Sequence, residues 1–286
     1  MTTRLGRIAA VVAIAALALT GCAATPASAP STSAPGVDVE RDITYREVDG
    51  QELQLDACLP GDHERPLQTL VLVHGGAFET GDRSTMLGVC EMLAAGGFAA
   101  FAVDYRLIPD TYPAQVDDVS AAVAWLREPA QVEAFGLGDQ LSLLGSSAGG
   151  IIALSAAAAA PVPVTSVVTL SAAGDLTADA AALGHPSAAL EKVVLAYLGC
   201  KRPEDCAVAG EASPLTVAAR LPRTLLVHGS DEIIPIEQAE ALDGALDAAG
   251  VEHELIVVHG DRHGLQLLNS KTRAAILAFL DSNSSP

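Results

Sequence analysis

Several features are scarce in this 286-residue chain, and each scarcity narrows what it can be. Basic residues are few: 16 Lys+Arg stand against 35 Asp+Glu, a formal net charge of −19. That balance argues against nucleic acid and anionic lipid headgroups as partners, because both are gripped through basic surfaces. A solvated acidic surface that maintains solubility accounts for the charge without any substrate. A membrane-crossing helix requires roughly twenty apolar residues in succession, and beyond Leu19 no permanent span is expected. Cysteines number only 5 and show no zinc-ligand spacing, so no metal site is expected. No internal repeat and no second linker divides the chain.

What is present begins at the N-terminus. Arg4 and Arg7 precede an uncharged apolar run, Ile8 to Leu19, that ends in Leu19-Thr20-Gly21-Cys22. A charged start, an apolar run of about twelve residues and a small-residue end follow the order of a signal peptide, here residues 1–21. Leu-Thr-Gly-Cys resembles the lipobox of bacterial lipoproteins. The resemblance implies a lipid on Cys22, an extracytoplasmic location, and membrane contact through that anchor alone. Residues 22–36, almost only Ala, Pro, Ser and Thr from Thr25 onward, are too polar and proline-rich to bury a core and read as a flexible tether. Without residues 1–21 the balance is 14 Lys+Arg against 35 acids, or −21. Residues 37–286, about 250 in number, suit one large α/β domain.

Cys58, Cys90, Cys200 and Cys206 then form an even set in a chain sent to a compartment where disulfides persist. Gly199 to Cys206 is a polar loop short enough to close on itself, so among three possible pairings Cys200–Cys206 with Cys58–Cys90 is expected. Ile43 to Val48 and Leu53 to Cys58 alternate around Asp49-Gly50, which predicts a hairpin. Six continuous apolar runs follow: Leu70 to Val73, Ala99 to Val103, Leu141 to Leu144, Val164 to Leu170, Thr224 to Val227 and Leu255 to Val258. Runs of that kind are strands buried on both faces of a parallel sheet. Between them Ser84 to Ala95, Pro113 to Arg127, Ala148 to Ala160, Pro235 to Ala249 and Leu265 to Leu280 carry helical periodicity. The alternation predicts a mostly parallel, doubly wound sheet with helices on both faces and ligands at the carboxyl ends of the strands.

The polar motifs fall at those ends. Gly145-Ser146-Ser147-Ala148-Gly149 sits between a strand and an Ala-rich helix, the context in which G-x-S-x-G presents a nucleophilic serine on a sharp turn. Ser147 is bracketed symmetrically by the two glycines; Ser146 is read as a packing residue. His74-Gly75-Gly76-Ala77-Phe78 ends an earlier strand, and backbone N–H groups freed by glycines can face a developing oxyanion. Gly75, Gly76 and Ala148 are the donors expected. His228-Gly229-Ser230-Asp231-Glu232 offers an acid that could orient a histidine, and Asp261-Arg262-His263-Gly264 offers the histidine, with His259 the only competitor.

Together these motifs resemble the α/β-hydrolase esterase/lipase branch that includes hormone-sensitive-lipase-like and feruloyl-esterase-like carboxylesterases. Val103 to Leu107, Pro113 to Asp118 ahead of Trp125, and Ser213-Pro214-Leu215 extend the resemblance from about Ile43 to Leu280. It implies the α/β-hydrolase fold, a Ser147–His263 pair with a third acidic member, hydrolysis of short- to medium-chain carboxylic esters through an acyl-enzyme, and no cofactor. His74 resembles the histidine that orders the oxyanion loop. Relatives usually place one more residue between His-Gly and the acid than Asp231 allows, whereas Asp231 keeps their four-residue step to Pro235; Asp231 is the expected acid and Glu232 the alternative. Residues 175–211 are expected to form a small helical cap, few in aromatics and without a recognisable specificity determinant. Two other functions share parts of this pattern. A cell-envelope acyltransferase would use the same triad, and a catalytically inactive hydrolase could serve as a binding lipoprotein, although binding alone needs no serine turn, glycine loop and histidine in register. The pattern leaves the oligomeric state open.

Overall fold

Alternation in the first segment is satisfied by a hairpin. In a computed structural model that describes residues 36–282 apart from 62, 64 and 65, β1 (Val37–Val48) and β2 (Gln51–Pro60) pair antiparallel around Asp49 and Gly50. Both turn residues have positive φ, 52° and 80°, as a two-residue turn matched to strand twist requires. The expected signal peptide, Cys22 and the tether through Pro35 lie outside the described residues.

Beyond the hairpin, strands alternate with helices. These are β3 (Leu67–Val73), α1 (Leu87–Ala95), β4 (Ala99–Val103), α2 (Ala114–Leu126), α3 (Pro129–Phe135), β5 (Leu137–Ser146) and α4 (Ala148–Ala159). Then follow β6 (Ser166–Leu170), α5 (Ala188–Leu198), α6 (Ala209–Ala212), β7 (Arg223–Gly229), α7 (Ile236–Ala249), β8 (His253–Val258) and α8 (Ser270–Asp281). One eight-stranded sheet results, in the order β1-β2-β4-β3-β5-β6-β7-β8, antiparallel at the hairpin and between β2 and β4 and parallel elsewhere. The edge strand β1 carries six charged residues of both signs, Asp38, Glu40, Arg41, Asp42, Arg46 and Glu47, a composition that discourages edge-to-edge pairing.

Strand periodicity explains why the central runs are apolar throughout. Leu70 and Leu72 face a core shared with α1 and α8, while Val71 and Val73 face the opposite core shared with α2, α4 and α7. Each strand therefore needs apolar residues on both sides. The two disulfides have the expected pairing: Cys58–Cys90 ties β2 to α1, and Cys200–Cys206 closes the loop after α5. Three elements differ from expectation. The helix α3, started by Pro129 and stopped by Gly136 in a left-handed conformation, spans only 7 residues and is absent from the expected elements. The helix expected from Leu265 to Leu280 breaks in two, because the Asn269 carboxamide accepts the N–H groups of Lys271 and Thr272 and caps a new start. The stretch Ser84 to Ala95 likewise opens as a 3-10 turn, Arg83–Met86, before becoming α.

Residues 175–211 rise over the strand ends as short 3-10 turns, α5 and the start of α6. Among the described residues no helix is long and apolar enough to cross a membrane.

Candidate active site

The carboxyl end of β5 turns directly into α4 at Ser147, whose φ of 54° and ψ of −122° lie outside the regions ordinary side chains favour. The residues two positions before and after it must be glycine. A Cβ on Gly145 would lie 2.2 Å from the Gly149 carbonyl oxygen, and one on Gly149 would lie 2.2 Å from the His74 oxygen. Such crowding lets the oxyanion-loop strand, the serine turn and the helix start approach as bare backbone. The Ser147 N–H is held by the Leu170 carbonyl at 2.7 Å, so the strained turn is fixed from the adjacent strand and the side chain is left partly accessible.

His263, in the loop between β8 and α8, reaches back to this serine. Its Nε2 lies 2.8 Å from Ser147 Oγ, and its Nδ1 hydrogen-bonds Glu232 Oε2. The expectation that Asp231 would be the acid is corrected here. After β7 the chain keeps pairing beside β8, with Ser230 N–H donating to Val258 O at 2.9 Å and Asp231 N–H to Gly260 O at 3.0 Å. That pairing leaves the Asp231 side chain exposed, where it accepts a hydrogen bond from Ser230 Oγ at 2.6 Å and does not reach His263. The next residue, Glu232, turns inward. The distance from the strand end governs where the acid falls, whereas the step to Pro235 only sets where α7 begins.

The Glu232 carboxylate is fully buried. Burial alone would push its pKa up, but the bond from His263, the nearby His228, the Ser171 hydroxyl and the Gly229 N–H more than offset this and hold it below the ordinary glutamate range. The bond from Ser171 Oγ is 2.7 Å and that from Gly229 N is 3.0 Å. An ionised carboxylate on Nδ1 leaves Nε2 as the basic nitrogen facing the serine. Ser171 belonged to none of the sequence motifs; a lone serine after an apolar run gives no signal of its role.

The loop Gly75 to Phe78 curls against the same turn. A Cβ on Gly75 would meet the Ser146 oxygen at 2.9 Å, and one on Gly76, whose φ is 123°, would meet Thr80 O at 1.9 Å. Ala77 and Phe78 continue in the left-handed region at φ 55° and 61°. His74 orders this loop and is not free to act as a base: its ring stacks on Tyr105 at 4.2 Å, and its Nδ1 bonds Gly75 O at 2.7 Å. Burial lowers its pKa, against smaller opposing effects, and favours the neutral ring. Ser146 is buried, with its Oγ packed towards Gly264, where a Cβ would lie 2.7 Å away. His259 is exposed in the loop after β8 and makes none of these contacts.

Ser147 and Ala148 open onto a cavity of about 350 Å³. Its walls are apolar, with Phe78, Ile151, Leu176, Leu190 and Val194 prominent, so residues 175–195 supply one side and the oxyanion loop and α4 the other. Ile233, beside the acid, is 67% exposed on its rim. Among the described residues no group of three or more His, Cys, Asp or Glu side chains could hold a metal ion.

The BD-FAE family matches residues 55–246 of this chain. Esterase LipU of Mycobacterium tuberculosis is 28% identical over 255 residues, covering 82% of this chain and 82% of LipU. Esterase LipI of the same organism is 39% identical over 106 residues, 36% of this chain and 32% of LipI, so the match spans about a third of that relative. Esterase B of Lactobacillus rhamnosis superposes with a TM-score of 0.74 at 22% identity over 87% of each chain. That superposition shows a shared α/β-hydrolase fold.

Proposed function

The chain belongs to the BD-FAE family, and from that premise we propose that it is a serine hydrolase of carboxylic esters working through Ser147, His263 and Glu232. The observation that carries this reading is the continuous bond path from Ser147 Oγ through His263 Nε2 and Nδ1 to the buried Glu232 carboxylate. Ser147 Oγ attacks the ester carbonyl as Nε2 takes its proton, and the imidazolium so formed is stabilised by ionised Glu232. Nε2–H then protonates the departing alkoxide, which leaves an acyl group on Ser147. Water, deprotonated by the same nitrogen, attacks the acyl-enzyme, and Nε2–H returns the proton to the departing Ser147 Oγ, which releases the carboxylic acid and free serine. Backbone N–H groups of Gly75, Gly76 and Ala148, aided by the start of α4, receive the oxyanion.

The cavity supports short- to medium-chain acyl groups. At about 350 Å³ it lies at the small end of the roughly 300–1,000 Å³ usual for ligand sites, and its aliphatic walls offer few partners to a polar acyl group. The relatives named esterases support ester hydrolysis as the reaction. A chain-length series of chromogenic esters tests the reading together with a serine-reactive phosphonate. Ser147 should carry the phosphonate, and activity should vanish in step with labelling; hydrolysis that survives complete labelling of Ser147 contradicts it.

The proposal extends to location. The basic, apolar and Leu-Thr-Gly-Cys order of residues 4–22 supports a lipid-bearing Cys22 on the outer side of the cell membrane. One saturated chain binds membranes only marginally, so durable anchoring implies more than one acyl group there. Mass spectrometry of the mature N-terminal peptide should find acylated Cys22; an unmodified terminus elsewhere rules the anchor out.

A further inference from the structure

Ser171, the residue after β6, is fully buried and adopts a left-handed φ of 61°. Its own N–H is held by Val227 O at 2.9 Å, so its place is fixed from the neighbouring strand. Its hydroxyl makes two bonds, accepting the Gly264 N–H at 2.8 Å and donating to Glu232 Oε1 at 2.7 Å. The direction of both is forced. An amide N–H can only donate, so a hydroxyl lone pair is engaged there and the proton is left for the carboxylate, an acceptor when ionised. One side chain thus joins the end of β6, the acid after β7, and the turn that begins with His263.

We propose that Ser171 is a positioning residue of the triad, its hydroxyl aiming the Glu232 carboxylate and holding the His263–Gly264 turn so that acid and base meet at Ser147. This inference rests on the reading of Ser147, His263 and Glu232 given above. A glutamate has more need of such a fixture than an aspartate, because its carboxylate stands one methylene further from the backbone and has one more torsion to immobilise. The other contacts on Oε1 are the Gly229 N–H at 3.0 Å and His228 Nε2 at 3.3 Å, both from β7 itself. Besides the direct His263–Glu232 bond, Ser171 is the side chain that links the acid to the turn carrying the base among the described residues. Glycine would hold a left-handed backbone at less cost, and strain retained at a serine is consistent with a needed hydroxyl.

A double-mutant cycle tests this. Ser171→Gly suits the backbone and removes the hydroxyl, so the protein should still fold, with circular dichroism and thermal melting used to confirm a native fold before kinetics are compared. Its kcat should nevertheless fall about 10- to 100-fold, the worth of a hydrogen bond to a charged group, with KM changed less than about twofold. In a Glu232→Ala background, where there is no carboxylate to aim, the same substitution should change kcat less than about threefold. Ser171→Ala repeats the cycle with a Cβ retained, in case glycine loosens the turn. Parental kcat in both Ser171 variants, a loss confined to KM, or equal losses in the two backgrounds overturns the proposal, the last by showing that Ser171 acts independently of Glu232. A Ser147→Ala control separates the two levels of inference. If that control is inactive and the cycle additive, only the role of Ser171 fails; if it keeps parental activity, the triad itself fails and this inference with it.

Discussion

Two adjacent acids of nearly equal chemistry have opposite surroundings: Asp231 is exposed and Glu232 is buried against His263. Replacing Glu232 by Ala should lower kcat by roughly 10⁴, because the acid acts with the other two residues as a unit. Asp231→Ala should stay within about threefold of the parent, as an exposed substitution outside any network. Steady-state kinetics on both variants decides the matter, and a large loss confined to Asp231→Ala would reverse the assignment. Ser147 and His263 were legible because each occurs in a short pattern whose glycines are sterically required. The acid was not, since two spacings from the sequence conflicted and only the pairing of Ser230 and Asp231 beside β8 shows which one governs. Residue chemistry also gives a pH signature at His74. Its folded pKa is depressed by burial below the ordinary value of about 6.5, so the unfolded chain takes up the proton first as pH falls. The stability linked to neutral His74 is therefore complete above about pH 6.5 and is lost below it as pH falls towards the folded value. Thermal melting from neutral to mildly acidic pH should show a decline that is shallower in His74→Gln; an unchanged slope would remove His74 as its source.

Among elements, the parallel strands were the most readable, because a strand covered on both faces must be apolar at every position. The Asp49-Gly50 hairpin was equally plain, since two successive positive φ values demand such residues. Helix ends were harder: Asn269 restarts a helix that apolar periodicity carries straight through, so a local cap overrides the pattern. The disulfides bind elements of different consequence. Cys58–Cys90 spans 32 residues and joins β2 to α1, whereas Cys200–Cys206 spans 6 within one loop. On the chain-entropy account these closures stabilise by about 3–4 and about 2 kcal/mol respectively. Replacing Cys58 and Cys90 together by Ala should thus lower the chemical-denaturation midpoint more than replacing Cys200 and Cys206. Equal shifts would mean that loop closure is not the source of the stabilisation.

Taken as a molecule, the chain brings together groups far apart in sequence: the His263–Ser147 bond spans 116 residues and the His263–Glu232 bond 31. The parallel sheet does this by delivering β3, β5, β7 and β8 with their carboxyl ends on one side. The cap closes an apolar cavity over that edge, whose lining residues are mostly aliphatic and small. Its shape was the least legible feature of the sequence, because residues 175–211 obey no strict period and owe their course to packing. The acidic surface plays no part in the chemistry proposed, which depends on one buried carboxylate. The most direct test of the account is the rate of ester hydrolysis by folded Ser147→Ala protein relative to the parent. A fall in kcat on the order of 10⁶ with the fold intact is expected; hydrolysis at the parental rate would contradict the role given to Ser147.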